Sequence, residues 1–250
     1  MTSLNSKVAL VTGGAGGIGT AICEVLARNG ASVVVGYGTS RAAAEALANR
    51  LPRAGAQHTA LAAPVTDSRA LGDLAAEIER RYGRCDILVN CHGTTRFVPH
   101  ADLDALDDAL VDQILATNVR GAFATVRAMH RLLERTGDGL VVNISSIAAS
   151  LALGSNIMYC ASKAALDNMT KSLARALAPS IRVVSVSPGL VETEFVKKFD
   201  QAWLDGYIAS TPLKGLVLPA EVAAAVMAVA TTLTATTGAI IPVDGGRTLA

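Results

Sequence analysis

Aromatic and charged residues are scarce in this sequence: they make up 4% and 17% of its 250 residues. Lysine and arginine exceed aspartate and glutamate by a single residue, so the formal net charge is +1. Since the chain has no basic block, it lacks the charge that draws a protein to nucleic acid or to an anionic membrane. We therefore expect no nucleic acid and no membrane among its partners.

Long apolar runs are also absent, although 51% of the residues are hydrophobic and the mean hydropathy is +0.40. No run reaches the roughly 18–20 residues that a membrane-spanning helix needs. The apolar residues are spread over many short segments, as in a chain whose central sheet is buried on both faces. The length suits one domain, and no linker or repeat divides the sequence.

The cysteines indicate neither a disulfide framework nor a metal site. The sequence has four of them, Cys23, Cys85, Cys91 and Cys160, and none forms a C-x-x-C pair or a zinc spacing. Four scattered histidines add no ligand cluster. The short, polar N-terminal segment lacks the features of a signal peptide. We expect free thiols, no metal and a cytoplasmic protein.

Short runs of valine, isoleucine and leucine alternate with longer helical patterns along the chain. Strands are predicted at Lys7–Thr12, Ser32–Gly36, His58–Ala62, Ile87–Asn90, Leu140–Ser145, Ile181–Ser187 and Ala239–Val243. Helices are predicted at Gly19–Asn29, Arg41–Leu51, Tyr159–Leu177 and Pro219–Ala230. A further helix is predicted to begin after a cap at Asp67 and to end at about Arg81, and the region Leu103–Arg135 is predicted to contain one or two helices. The alternation predicts an α/β fold, a doubly wound parallel sheet of about seven strands with helices on both faces.

A glycine-rich turn separates the first predicted strand from the first helix. It reads Gly13-Gly14-Ala15-Gly16-Gly17-Ile18-Gly19 and directly follows Thr12. Glycines let a ligand approach the backbone, and a helix N-terminus offers N–H groups and positive potential, which together suit the pyrophosphate of a dinucleotide. A tight turn alone would also need glycine, but the position after the first strand favours cofactor binding.

Tyr159 and Lys163 are four residues apart in a predicted helix, so their side chains share one face. A lysine ammonium beside a phenol favours the phenolate and lowers the tyrosine pKa from about 10, which gives a general acid/base. The same spacing is typical of a surface tyrosine beside a solvated lysine, so the context decides. Ser146 ends a predicted strand thirteen residues before Tyr159, with Ser145 as its neighbouring alternative. Asn118 stands inside a helical pattern that asparagine disfavours.

Two features together resemble the classical short-chain dehydrogenases/reductases: the turn Thr12-Gly13-x-x-x-Gly17-x-Gly19 and the tetrad Asn118, Ser146, Tyr159 and Lys163. The resemblance extends from Lys7 to Gly246, and within the family the chain resembles the branch often labelled 3-oxoacyl-thioester reductases. It implies one Rossmann-fold domain over residues 1–250. It also implies an NAD(P)(H)-dependent oxidoreductase that transfers hydride between nicotinamide and a secondary alcohol or ketone. The alternative is a non-catalytic nucleotide-sensing or interaction protein on the same fold.

The resemblance assigns a role to each member of the tetrad. It implies that Tyr159 is the general acid/base, which protonates the carbonyl oxygen or removes the hydroxyl proton. Ser146 would hydrogen-bond the reacting oxygen, and Asn118 would support a water that relays protons. Lys163 would lower the pKa of Tyr159 and hold the ribose hydroxyls of the cofactor. A sensor has no need of such a tuned phenol, so the intact set favours the enzyme.

Further segments match the cofactor-binding positions of the family. The resemblance implies contacts from Gly13, Gly14, Ala15, Gly16, Gly17, Ile18 and Gly19, from Pro64 and Val65, from Asn90 and Gly93, from Tyr159 and Lys163, and from Pro188, Gly189, Val191 and Thr193. Pro64 replaces a residue that is often polar, so the Val65 backbone is left for the adenine and Asp67 is expected to cap the next helix. Cys91 and His92 depart from the family's Asn-Asn-Ala-Gly motif. We expect Cys91 to be a small buried side chain and His92 to pack within the protein.

The end of the second predicted strand decides between NADP(H) and NAD(H). NAD-specific sites usually carry an acid there, which binds the ribose and repels a 2′-phosphate. Tyr37 occupies this position with no acid nearby, and Thr39, Ser40 and Arg41 are suited to bind a phosphate. The glycine turn lacks the basic residue that many NADP-preferring relatives have. We expect NADP(H), with use of NAD(H) left open.

The segment Leu190–Leu218 is irregular and contains Phe195, Phe199, Trp203 and Tyr207. The i, i+4, i+8 spacing of the first three predicts one face of a short helix, which either packs on the core or forms a lid over the substrate. We expect a lid that sets the substrate shape. The segments in which carrier-protein reductases tend to have basic residues are mostly small or polar here, so docking of an acidic carrier protein is not expected. The expected small-molecule substrate is therefore a small ketone, a sugar or a CoA ester, and the sequence does not distinguish among these three.

The chain is also expected to associate with copies of itself. The segment Val222–Ile241 is more apolar than a solvated edge should be. The helices within Leu103–Arg135 and Tyr159–Leu177 resemble those that pair across subunits in the family. Symmetric association that buries both surfaces predicts a homotetramer.

Overall fold

The computed structural model describes residues 3–53, 55–194, 196 and 199–250. Within them, the strands are β1 Val8–Thr12, β2 Ser32–Tyr37, β3 Thr59–Ala62, β4 Ile87–Asn90, β5 Gly139–Ile144, β6 Ile181–Pro188 and β7 Ile240–Val243. The α-helices are α1 Gly17–Arg28, α2 Arg41–Arg50, α3 Ser68–Tyr82, α4 Asp108–Leu115, α5 Ala122–Glu134, α6 Ala148–Leu151, α7 Ile157–Leu177, α8 Gln201–Ser210 and α9 Pro219–Thr231. A π-helical turn, Ala116–Gly121, joins α4 to α5, and a 3₁₀ turn, Arg247–Leu249, follows β7.

The described strands form one parallel sheet in the order β3-β2-β1-β4-β5-β6-β7. From β1 to β3 the chain builds the sheet in one direction, and from β4 to β7 it builds it in the other. The predicted α/β fold, a doubly wound parallel sheet, is therefore confirmed. In such sheets, ligands bind at the carboxyl ends of the strands where the direction reverses, which here is the edge at the ends of β1 and β4.

Alternate residues of the central strands enter two separate cores. In β1, Ala9 and Val11 pack with α1, α2 and α9 on one face of the sheet. Val8 and Leu10 pack with α3 and α5 on the other face. Because both faces are covered, the four successive residues Val8 to Val11 of β1 are all apolar, which is why this strand is recognisable as a short apolar run.

Most predicted elements are observed with their ends shifted by one or two residues, as is usual for helix and strand termini. The region Leu103–Arg135 becomes helical only at Asp108 and contains the π-helical turn. The expected single helix face of Phe199 and Trp203 is wrong. Asp200 accepts a hydrogen bond from the Trp203 backbone N at 3.1 Å and caps α8, so Phe199 precedes the helix. Phe195, the third residue of that expectation, lies outside the described residues.

The apolar C-terminal segment is explained largely by packing within the chain. Val222, Val226 and Val229 of α9 are fully buried and belong to the core that α1 also covers. Their hydrophobicity therefore needs no partner subunit, and β7 at the edge of the sheet is the part that stays half-buried. In the described part of the chain, no helix is both long and apolar enough to cross a membrane.

Candidate active site

Tyr159 lies in the first turn of α7, and Asn156 sets its position. The Asn156 Oδ1 atom accepts a hydrogen bond from the Tyr159 backbone N at 2.7 Å, which caps the helix. The Asn156 Nδ2 atom donates to the Thr95 Oγ1 atom at 3.1 Å and to the Arg96 carbonyl at 2.8 Å, so it ties α7 to the loop after β4. Asn156 is not among the site residues predicted from the sequence. An asparagine three residues before the tyrosine, at the start of a helix, is the capping signal that indicates it.

Ser145 and Ser146 follow β5, and their hydroxyls have different partners. Ser146 lines the same cavity as Tyr159 and lowers the pKa of its hydroxyl. The Ser146 Oγ atom accepts a hydrogen bond from the Ala148 backbone N at 3.2 Å. Ser145 is buried, and its hydroxyl donates to the Lys163 carbonyl at 3.4 Å. The geometry therefore favours Ser146 over Ser145 as the partner of the tyrosine.

Lys163 lies one turn beyond Tyr159 on α7 and is almost completely buried. Its Nζ atom donates to the Ile144 carbonyl at 2.8 Å and lies 5.7 Å from the centre of the Tyr159 ring. Burial lowers the pKa of Lys163 to about 8, and the nearby Cys91 and Asp167 oppose this shift. The ammonium is therefore still predominantly charged at neutral pH.

Burial raises the pKa of Tyr159 above its ordinary value, and the Ser146 side chain opposes this shift without cancelling it. The expectation that this pKa falls toward neutrality is wrong for the protein by itself, because burial raises it by more than the Lys163 ammonium, which donates to the Ile144 carbonyl and lies beside the ring, can lower it. Tyr159 is consequently protonated at neutral pH. This is the state in which a phenol can donate a proton to a ketone.

Asn118 lies within the π-helical turn and is buried. Its Oδ1 atom accepts a hydrogen bond from the Thr94 backbone N at 2.8 Å. Its Nδ2 atom donates to the Thr94 carbonyl at 3.1 Å and to the Ser162 Oγ atom at 3.0 Å. The side chain thus connects the loop after β4 to α7, and π-helical turns of this kind are frequent at functional sites.

The glycine turn packs closely on the loop after β4. Gly13 has a φ of +66°, and a Cβ at this position would lie 3.0 Å from the Cys91 carbonyl oxygen. A Cβ on Gly19 would overlap the Gly13 carbonyl oxygen. No side chain in the described chain caps α1 at Gly16, so the first amide groups of this helix are available to a ligand. The turn therefore fits a dinucleotide pyrophosphate.

The segment after β6 reaches the glycine turn from the opposite side. A Cβ on Gly17 would lie 2.8 Å from the Thr193 Cγ2 atom, so the Thr193 side chain packs directly on the turn. Pro188 is the last residue of β6, and Gly189 follows it. Val191, two residues further on, is buried. The structure thus brings the two predicted halves of the cofactor site into contact.

The predicted phosphate-binding residues lie around the end of β2. Tyr37 is the last residue of this strand, Thr39 and Ser40 lie exposed in the following loop, and Arg41 begins α2. The Arg41 Nε atom donates to the Glu45 Oε1 atom at 2.8 Å. The expectation that no acid lies nearby is therefore wrong, because Glu45 follows one helical turn later. The pair is exposed, and exposed ion pairs open readily.

Asn90 holds the central strands together. Its Nδ2 atom donates to the Asn143 Oδ1 atom at 2.9 Å, and its Oδ1 atom accepts from the Thr125 hydroxyl at 2.6 Å. These bonds connect β4 to β5 and α5. The Asn90 side chain is therefore bonded within the protein, and a cofactor contact would fall to its backbone.

The other predicted cofactor positions lie along the same edge of the sheet. Pro64 and Val65 follow β3, and Val65 is buried against the π-helical turn. The Asp67 carboxylate accepts hydrogen bonds from two backbone amides and caps α3, as expected. Gly93 is exposed, and a Cβ there would lie 3.8 Å from the Lys163 Nζ atom.

Cys91 and His92 lie beside the glycine turn. The His92 Nδ1 atom is 2.7 Å from the Thr12 Oγ1 atom, and its buried Nε2 atom has no hydrogen-bond partner among the described residues. Burial lowers the pKa of His92 to about 4, so the ring is neutral at physiological pH. Burial raises the pKa of the Cys91 thiol to about 12. These values fit a packed histidine and an unreactive thiol.

A cavity of about 480 Å³ lies next to the candidate catalytic residues. Ser146 and Tyr159 line one side of it, and the other lining residues include the predicted cofactor positions Ile18, Pro188, Gly189, Val191 and Thr193. Aromatic side chains also line it, namely Phe97, Phe199, Trp203 and Tyr207. The cavity therefore adjoins both the tyrosine and the expected nicotinamide position.

Known proteins share this organisation along the chain. Residues 7–203 match the model of the short chain dehydrogenase family. A Streptomyces violaceoruber protein named as a ketoacyl reductase of the granaticin polyketide synthase is 40% identical over 246 residues, which cover 98% of this chain and 97% of the relative. The D-threitol dehydrogenase of Mycolicibacterium smegmatis is 35% identical over 249 residues, with 98% and 94% covered.

Solved structures of the family superimpose closely. A Brucella melitensis protein described as a short-chain dehydrogenase/reductase of the glucose/ribitol dehydrogenase type has a TM-score of 0.90 at 30% identity, with 97% of each chain covered. The family model spans most of the chain, and the relatives are matched over nearly their whole length. The protein therefore belongs to the short-chain dehydrogenases/reductases and is an NAD(P)-dependent oxidoreductase that acts on alcohol and ketone groups.

Proposed function

We propose that Tyr159 is the general acid/base that interconverts a secondary alcohol and its ketone. One observation carries this proposal: the hydroxyl-bearing side chains of Ser146 and Tyr159 line the same cavity as Ile18, Gly189 and Thr193. A carbonyl oxygen placed between the two hydroxyls accepts a hydrogen bond from Ser146. The protonated phenol of Tyr159 then gives its proton to that oxygen as the alcohol forms.

Lys163 and Asn118 support the tyrosine in this scheme. The buried Lys163 ammonium stabilises the phenolate that remains after Tyr159 has given up its proton. Asn118 fixes Thr94 and Ser162, and thereby the loop and the helix around Lys163. We assign Asn118 the support of the water through which the proton of Tyr159 is replaced.

The nicotinamide dinucleotide supplies or accepts the hydride when it is bound. Its pyrophosphate would bind to the glycine turn, Gly13–Gly19, because Gly16 and Gly17 are exposed there and no side chain caps the N-terminus of α1 in the described chain. Val191 and Thr193 would hold the carboxamide, and Lys163 the hydroxyls of the adjacent ribose. Val65 would contact the adenine through its backbone.

NADP(H) is the proposed cofactor form. Tyr37 places no negative charge at the end of β2, and Arg41 lies four positions beyond it with Thr39 and Ser40 between them. A 2′-phosphate would compete with the Glu45 carboxylate for Arg41, and an exposed ion pair of this kind exchanges partners at little cost. NAD(H) would bind without this contact and serve as the weaker cofactor.

Three wider features belong to the same proposal. The chain forms one domain in which residues 190–218 act as a lid over the substrate. It assembles as a homotetramer. It works in the cytoplasm, which agrees with four free cysteines.

Replacement of Tyr159 by phenylalanine tests the proposed chemistry. The variant keeps the ring and loses the transferable proton, so turnover should fall by roughly 10²–10⁴-fold. Cofactor affinity, measured by fluorescence titration with NADPH, should change little. The assay follows reduced nicotinamide absorbance with a panel of ketones and alcohols. Near-normal turnover in Tyr159→Phe would refute the role of Tyr159.

A further inference from the structure

The substrate cavity has an aromatic wall that continues from one segment to the next. The ring of Phe97 meets that of Phe199 edge-on at 6.4 Å. Phe199 stacks on Trp203 at 4.9 Å, and Trp203 stacks on Tyr207 at 5.6 Å. We call these four rings the aromatic ladder. It runs from the loop after β4 to α8.

The aromatic ladder leaves much apolar surface uncovered. Phe97 is 61% exposed and Trp203 is 49% exposed, although both side chains line the cavity. Leu151 and Leu153 add further apolar lining. Exposed apolar surface in a concave site is typical of a place where an apolar ligand binds. The body of the substrate should therefore be aromatic or similarly flat and apolar.

Arg247 stands at the end of the aromatic ladder and also lines the cavity. Its guanidinium lies 4.5 Å from the centre of the Tyr207 ring, and its Nη1 atom donates to the Ser210 hydroxyl. No carboxylate of the described residues forms an ion pair with Arg247. The neighbouring Asp244 instead accepts hydrogen bonds from the backbone amides of Gly246 and Thr248, each at 2.9 Å.

A guanidinium without a carboxylate partner, at the edge of an apolar cavity, is suited to bind an anion. Its planar fork matches a carboxylate through two parallel hydrogen bonds. A single arginine balances the single charge of a carboxylate, whereas a phosphate dianion would need further donors. The stack on Tyr207 holds the guanidinium in place and leaves N–H groups for the ligand.

We propose that the substrate is an aromatic or similarly apolar ketone, or the matching alcohol, that carries a carboxylate bound by Arg247. This inference rests on the proposed function, since it places the reacting carbonyl at Ser146 and Tyr159. The aromatic ladder covers the apolar body between the two ends. Arg247 is then a specificity-determining residue, which favours acids over neutral ketones of the same shape.

A matched pair of substrates tests the role of the charge: 4-acetylbenzoate, in which the ring separates the ketone from the carboxylate, and its methyl ester, with NADPH. The wild-type kcat/KM should be at least about tenfold higher for the acid than for the ester. Arg247→Met should lower kcat/KM for the acid by about tenfold, mainly through KM, and change the value for the ester less than about threefold. For Arg247→Lys, kcat/KM for the acid should lie between the wild-type and the Arg247→Met values, because lysine keeps the positive charge and lacks the planar fork.

Other outcomes separate the possible failures. If Arg247→Met lowers kcat/KM equally for acid and ester, Arg247 only fastens α8 to the C-terminal turn, and the inference is overturned. The inference is also overturned if the wild type reduces the acid and the ester with equal kcat/KM, or if it reduces only ketones that have neither the apolar body nor the carboxylate. If the wild type reduces no ketone at all, the proposed function itself fails.

The aromatic ladder is tested by a second pair of variants. Trp203→Ala should raise KM for 4-acetylbenzoate by about tenfold, since it removes a ring from the middle of the aromatic ladder. Phe123→Ala is the matched control, because Phe123 is 43% exposed on α5 and does not line the cavity. Equal effects of the two changes would refute the ladder as the substrate wall.

Discussion

At the scale of single residues, burial controls the charges of Tyr159 and Lys163 more than their spacing does. The i, i+4 spacing correctly predicts that the two side chains lie near each other. It does not reveal that Lys163 donates to Ile144, nor that both groups are withdrawn from water. The result is a phenol that keeps its proton at neutral pH beside a cation that titrates near pH 8.

The pH dependence of ketone reduction should reflect Lys163. Its ammonium loses its proton as the pH rises through about 8, whereas Tyr159 stays protonated beyond that point. The kcat for reduction should therefore be flat below this pH and decline by up to about tenfold per unit above it. In Lys163→Arg, whose side chain stays charged, the decline should move well upward even if the overall rate is lower. If kcat of this variant still declines near pH 8, the titration behind the decline belongs to a group other than Lys163.

Cofactor preference should respond to a charge at Tyr37. Tyr37→Asp places a carboxylate where the 2′-phosphate of NADP(H) would lie, so KM for NADPH should rise by about tenfold or more. KM for NADH should stay similar or fall. Tyr37→Asn, which has nearly the same size as Asp without its charge, is the control and should have a much smaller effect. A wild-type enzyme that already strongly prefers NADH would contradict the proposed role of the β2 end.

At the scale of helices and strands, the sequence allowed the larger pattern to be predicted, because buried strands are continuously apolar and Asp67 is a strong cap. It did not indicate the π-helical turn, since Asn118 fits a regular helical pattern equally well until its contacts with Thr94 and Ser162 are known. The start of α8 was misplaced because spacing of aromatic residues was weighed and the cap at Asp200 was not. Local capping signals would have corrected this error.

The cap of α7 should matter more to turnover than an equivalent cap elsewhere. Asn156→Ala removes the bond to the Tyr159 backbone and two bonds to the loop after β4. The free energy of unfolding in urea should fall by roughly 1–3 kcal/mol, and kcat should fall by about tenfold as Tyr159 shifts. Asp67→Ala removes the cap of α3, away from the cavity, and should lower stability with little change in kcat. Equal kcat values for the two variants would refute a positioning role for Asn156.

At the scale of the whole molecule, the parallel sheet explains why distant sequence motifs form one site. The carboxyl ends of β1, β4, β5 and β6 share one edge, so the glycine turn, the loop after β4, Ser146 and Gly189 meet there. This much followed from the β–α alternation alone. The surface between subunits could not be derived in the same way, since the apolar residues of α9 proved to belong to the core of the chain itself.

The proposed homotetramer should depend on the edge strand β7. Ile241 and Val243 pack toward the core that contains α9, so Ile240 faces the opposite side of the strand and is half-buried. Ile240→Lys should reduce the proposed tetramer to dimers in light scattering at micromolar concentration, because it would place a charge in the proposed subunit contact. Thr234→Lys, in the exposed loop after α9, is the control and should leave the mass unchanged. A monomeric wild type would refute the assembly.

The environment of Cys91 has a consequence for the chemical durability of the protein. A thiol with a pKa of about 12 is ionised in roughly one molecule in 10⁵ at pH 7, and only the thiolate attacks peroxides and alkylating agents. Cys85 is buried with a pKa raised to a similar value, and burial also raises the pKa of Cys23. Although a cysteine lies directly beside the glycine turn, oxidants and iodoacetamide should therefore inactivate the folded enzyme only slowly.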